Sequence, residues 1–133
     1  MAGTFAGKGI WQAGLRQKEF KVEQLTEQQC EVCRIGAPLA TAEEIAGFKP
    51  QIPEWQVVTV DGVQRLSRTF IWRNFAEALA FTNRVGTLAE AEGHHPLLIT
   101  EWGKVTVQWW THKIKGLHRN DLIMAAKTDA LME

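Results

Sequence analysis

Nowhere in the chain do about 18 apolar residues follow one another, the least a membrane-crossing helix requires. No membrane span is therefore expected. Neither sign of charge dominates, since fifteen Lys and Arg offset fifteen Asp and Glu over 133 residues. Proteins that grip polyanions cluster Lys and Arg against phosphates, so nucleic acid is not an expected partner. Cysteine is scarce, at two residues, and the first residues lack the charged start and long apolar stretch of a secretory leader. A cytoplasmic protein with reduced thiols is the expectation. Cys30 and Cys33 have the spacing of a metal or redox pair, but structural zinc takes four ligands and no second cysteine pair exists. A redox pair normally opens a helix in a βαβ setting, which is not what surrounds these two. Gly-rich phosphate loops, nucleophile elbows and paired catalytic carboxylates are missing as well.

What is present is ordinary globular material: 45% hydrophobic and 23% charged residues. The length suits one domain that buries its own core without disulfides or metals. Residues 1–20 are Gly-rich and lack periodicity, so they read as a poorly ordered N-terminal extension, with the domain spanning 21–133.

Punctuation then orders the elements. Thr41-Ala42-Glu43-Glu44 has the form of a capping box, opening a short helix through Ile45 and Phe48 that ends before Pro50. From Trp55 to Val60 the chain is rich in β-branched residues, and Asp61-Gly62 supplies the positive φ angles of a tight hairpin turn. Val63 to Trp72 alternates, with Leu66, Phe70 and Trp72 on one face and Arg65, Ser67 and Thr69 on the other. Asn74 caps the longest helix, which runs to about Glu92 with Phe75, Leu79, Thr82, Val85 and Leu88 as its apolar stripe. Gly93 ends it. A second strand pair follows, Leu97 to Glu101 and Lys104 to His112, and a last helix runs from about Arg119 to Leu131. The order α-β-β-α-β-β-α predicts an α+β domain, an antiparallel sheet with helices over one face.

The chain holds four histidines, and three lie close together in sequence or fold order: His94, His95 and His112. His94 and His95 follow the helix stop and are closed by Pro96, which pushes the preceding residue towards extended backbone. His112 closes the strand that starts at Lys104, so the predicted sheet brings a helix end and a strand end together. Imidazole is the side chain with both protonation states well populated near neutrality, which makes such a corner a candidate for acid–base chemistry. Around the histidines stands a longer ordered set. Glu90 is four residues before His94, Trp102 six after Pro96, His112 ten after Trp102, and Asp121 nine after His112.

With these residues at these spacings the chain resembles the pterin-4a-carbinolamine dehydratase family over roughly residues 24–132. The resemblance implies a four-stranded sheet with three helices on one side. It implies a hydro-lyase that converts a 4a-hydroxytetrahydropterin to the quinonoid dihydropterin, recycling tetrahydrobiopterin after an aromatic amino acid hydroxylase turns over. His94 and His112 would be the acid–base pair and His95 would mainly hold the pterin. Neither metal nor organic cofactor is called for, because the substrate supplies its own electron push from N5. Glu90, Pro96, Thr111, Trp55 and Asp121 are the candidate substrate contacts. Of these, Thr111 would act through its backbone, Asp121 would position the His112 loop, and Trp55 aligns with an aromatic that the family places near the pterin. Trp102 reads as a core or pocket-wall aromatic. Trp109-Trp110 puts one indole on each face of a strand, one for the core and one for an interface or the pocket. Relatives commonly have Ser or Thr three residues before the aspartate; here the position is His118, so the helix cap is expected to weaken or shift to Asn120, with His118 a surface variation. Homodimers or homotetramers are implied too.

Two rival readings stand beside the enzyme. One is a non-catalytic dimerisation or assembly module on the same fold, against which the intact histidine set counts. The other is a metal-dependent hydrolase built on His94, His95, His112 and Glu90. Adjacent histidines rarely aim at one ion without a turn between them.

Overall fold

The computed structural model describes residues 24–30 and 37–132. The predicted extension 1–20 and Cys33 lie outside the described residues. Helix α1, Ala42–Phe48, begins at the expected capping box: Thr41 Oγ1 accepts from the Glu44 amide at 3.0 Å, and the Glu44 carboxylate accepts from the Thr41 amide at 3.2 Å. Strands β1, Gln56–Val60, and β2, Val63–Ile71, are joined by Asp61 at φ 51° and Gly62 at φ 79°. Those two positive angles are what the Asp-Gly pair supplies to a tight turn. Helix α2, Phe75–Glu92, starts where Asn74 Oδ1 accepts from the Glu77 amide at 2.8 Å, and it stops at Gly93, φ 66°. Strands β3, Leu97–Glu101, and β4, Lys104–Trp109, form the second hairpin, and α3, Arg119–Ala130, closes the domain.

The four strands form one antiparallel sheet in the order β1-β2-β4-β3. The two hairpins meet through β2 and β4, from Leu66 opposite Trp109 to Ile71 opposite Lys104. Leu66 and Phe70 of β2 and Val105, Val107 and Trp109 of β4 are buried on one face. Phe81 and Val85 of α2 and Leu122, Met124 and Ala125 of α3 complete the same core. This is the α+β arrangement read from the element order. Among these, Trp109, Phe70 and Phe81 are fully buried. Each such side chain stabilises the fold by roughly 1.5–3 kcal/mol.

Two local expectations are corrected. Val85 is buried on α2 as expected, but it is joined there by Ala78, Phe81 and Ala89 in place of Phe75, Leu79, Thr82 and Leu88. Phe75 and Leu79 are 46% and 44% exposed, Thr82 is half-buried, and Leu88 packs at the core's edge. Both sets obey the i+3/i+4 period and share Val85, so the period alone did not choose between them. Strand β4 also ends three residues early. The Thr111 amide donates to Gly116 O at 2.8 Å, folding the chain back on itself, and His112–Ile114 forms a 3₁₀ turn closed by Lys115 at φ 54°. Among the described residues, no helix is long and apolar enough to cross a membrane.

Candidate active site

The site begins at one end of the sheet. Gly93 turns the chain out of α2, and the pairing of Leu97 with Gln108 sets Pro96 and His95 alongside the end of β4. The first turn of α3 arrives at the same place. His94 is buried, and its Nε2 lies 2.6 Å from Asp121 Oδ1, while its ring stacks on Trp109 at 5.8 Å between centroids. Asp121 is fully buried, an unusual state for a carboxylate unless it is paired. Its other oxygen accepts from Thr111 Oγ1 at 2.8 Å and from the His118 amide at 2.9 Å. One carboxylate thus ties the helix end at His94, the strand end before His112 and the first turn of α3 together.

His95 is exposed, with Nε2 at 2.5 Å from Glu90 Oε1 across the last turn of α2. His112 is exposed as well and lies parallel to Trp110, 4.5 Å between ring centroids and 5° between planes. The three histidines therefore share one end of the sheet, each ring held by a different neighbour. The four donors of the hydrolase reading are consequently parted: His94 turns to Asp121, His95 to Glu90, and His112 to an indole.

Several expected site residues have other duties. Thr111 donates its hydroxyl to Asp121, and its backbone amide and carbonyl pair with Gly116. Trp55 is wholly buried, and its indole N–H donates to Asp129 Oδ1 at 2.8 Å. Asp129 stands eight residues along α3 from Asp121, about 12 Å at helical rise, so Trp55 belongs to the core and not to the histidine corner. Trp102 is 71% exposed at the β3–β4 turn, the far end of the sheet from Pro96. His118 is no surface variation. It is buried, and its Nδ1 accepts from the Asn120 amide at 3.0 Å, making it the cap of α3. Trp109 and Trp110 fulfil the reading of one indole per face, but their stacking on His94 and His112 was not visible in the alternation. The repeat of Trp-Trp two residues before Thr111-His112 is the signal that was available.

A comparison with protein families matches the model of pterin 4 alpha carbinolamine dehydratase over residues 38–131. The chain belongs to that family. Membership makes it a pterin dehydratase by class, a hydro-lyase. A relative from Syntrophotalea carbinolica, assigned to the pterin-4-alpha-carbinolamine dehydratases, is 79% identical over 112 residues, 84% of this chain and all of its own length. Another so assigned, from Gloeobacter violaceus, is 63% identical over 107 residues, covering 80% of this chain and 92% of the relative. Among solved structures, a transcriptional coactivator/pterin dehydratase from Brucella melitensis superposes with a TM-score of 0.64 at 28% identity, over 72% of this chain and 100% of that one. The dehydratase fold and the histidine corner thus fall inside one matched stretch.

Proposed function

We propose that the histidine corner dehydrates a 4a-hydroxytetrahydropterin by general acid–base catalysis, in the recycling of tetrahydrobiopterin beside an aromatic amino acid hydroxylase. The reaction needs two proton transfers. Hydroxide leaves C4a readily only when protonated, and the N5 proton must depart as the new C=N bond forms. His94 has the arrangement of the base. With Nε2–H directed at Asp121, Nδ1 is the nitrogen left to take a proton, and the carboxylate balances the charge that results. His112, exposed at the same sheet end, supplies the acid. His95, braced by Glu90, holds the pterin together with the backbone fixed by Pro96.

The observation that supports this reading most is the Asp121 carboxylate, which joins His94 to Thr111, the residue next to His112. Placed acid–base groups typically contribute about 10²–10⁴-fold. A stopped assay of 4a-hydroxytetrahydropterin decay tests it: wild type is expected to outpace buffer, with His112→Ala slower by about 10²–10⁴-fold. Decay no faster with wild type than with buffer would sink the enzyme. A homo-oligomer belongs to the same proposal. Phe75 and Leu79 on α2, Leu97 and Ile99 on the edge strand β3, and Ile71 leave apolar surface that a second copy would cover.

A further inference from the structure

We propose that Trp110, in contact with the Arg65 guanidinium, is a positioning residue for His112. The proposal rests on the dehydratase reading and adds to it two residues that lie outside the histidine–carboxylate set.

The indole of Trp110 carries the His112 ring parallel to it, and the Arg65 guanidinium carbon lies 3.8 Å from an indole ring centroid. Arg65 is on β2, on the sheet face opposite the helices, where alternation places it away from Leu66. Its Nη1 donates to Gln108 at 3.0 Å, but its Nε is buried with no hydrogen-bond partner. A buried N–H left without an acceptor costs free energy. The guanidinium therefore sits where the indole draws it, by cation–π attraction, rather than where polar partners would be complete.

His112 needs such support. It is exposed at the head of a 3₁₀ turn, where no core wall fixes its ring. An exposed side chain keeps its rotamer freedom, and an acid out of place by an ångström loses much of its rate. The parallel indole restrains that freedom.

Fluorescence and kinetics of the full chain test the proposal separately. Subtracting the emission of Trp110→Phe from wild type isolates Trp110 among six tryptophans. An imidazolium quenches a stacked indole, so this difference signal should be weaker in acid than at neutral pH, and that pH dependence should vanish in His112→Gln. In the dehydration assay, Trp110→Leu should lower kcat on the order of ten- to a hundredfold with much less change in KM, while Trp110→Phe keeps most of the rate by retaining a flat face. A Trp110 signal indifferent to pH, or Trp110→Leu turning over as fast as wild type, would each overturn the proposal. If wild type itself shows no dehydration, the enzyme reading fails, and the fluorescence still decides whether Trp110 holds His112.

Discussion

At the scale of single residues, Asp121 carries the heaviest load for its size. It is a buried carboxylate whose two oxygens serve an imidazole, a hydroxyl and a backbone amide. Burying an anion costs several kcal/mol unless such partners stand ready, so the three contacts form a set that must be complete together. Asp121→Ala would strand all three partners. A loss of about 3 kcal/mol in unfolding free energy is expected from urea titration. Asp121→Asn should preserve much of that stability while lowering kcat, because an amide accepts from Thr111 but does not balance an imidazolium at His94. Parallel loss of activity and stability in both variants would show that Asp121 is structural alone.

At the scale of elements, the instructive case is the start of α3. Histidine is not among the favoured N-cap residues, and its presence argued for a weak or displaced cap. The structure shows why it serves. Nδ1 of histidine stands as many bonds from the backbone as Oδ1 of asparagine, and here it takes the Asn120 amide while the His118 amide goes to Asp121. Losing a side-chain cap typically costs about 1 kcal/mol. His118→Ala is expected to lower stability by about that amount, and His118→Ser, which keeps an acceptor, to lose much less. Urea midpoints at neutral pH check this; equal midpoints for Ala and wild type would mean that the contact adds nothing. The correction to α2 is of the same scale. Its period was legible, but the period alone did not choose between two i+3/i+4 stripes that share Val85.

At the scale of the whole molecule, Glu92 joins three distant pieces of chain. Its carboxylate accepts from Lys127 Nζ on α3 at 2.9 Å and from the Cys30 amide at 3.2 Å. The hydrogen bond from Lys127 holds Glu92 below the ordinary carboxylate value of 4.5, against the opposing effect of burial. A carboxylate lowered in the folded state stabilises the fold above its unfolded pKa, and that stabilisation fades as pH falls through the folded value. Glu92→Gln should therefore be less stable than wild type near pH 7 and approach it in strong acid, read by denaturant titration at both pH values. A gap that stays constant with pH would show that the ion pair is not its source. Asp129 runs the other way. Burial pushes its carboxyl up despite the Trp55 and Arg68 hydrogen bonds, so it favours the folded state as pH falls.

The sequence by itself determined what depends on neighbours within a few residues. The capping box at Thr41, the Asp61-Gly62 turn, the stop at Gly93 and the span of α2 are local bargains between backbone and side chain, and each was legible. The histidine set was legible as well, because its spacing follows the lengths of the elements that carry it. Only the tertiary structure decided what depends on which surfaces meet. The joining of the two hairpins through β2 and β4, the burial of Trp55 against Asp129, the exposure of Trp102 and the stacking of His112 on Trp110 are of that kind. Local pattern fixes the direction in which a side chain points, whereas the partner it meets comes from another part of the chain, brought there by packing.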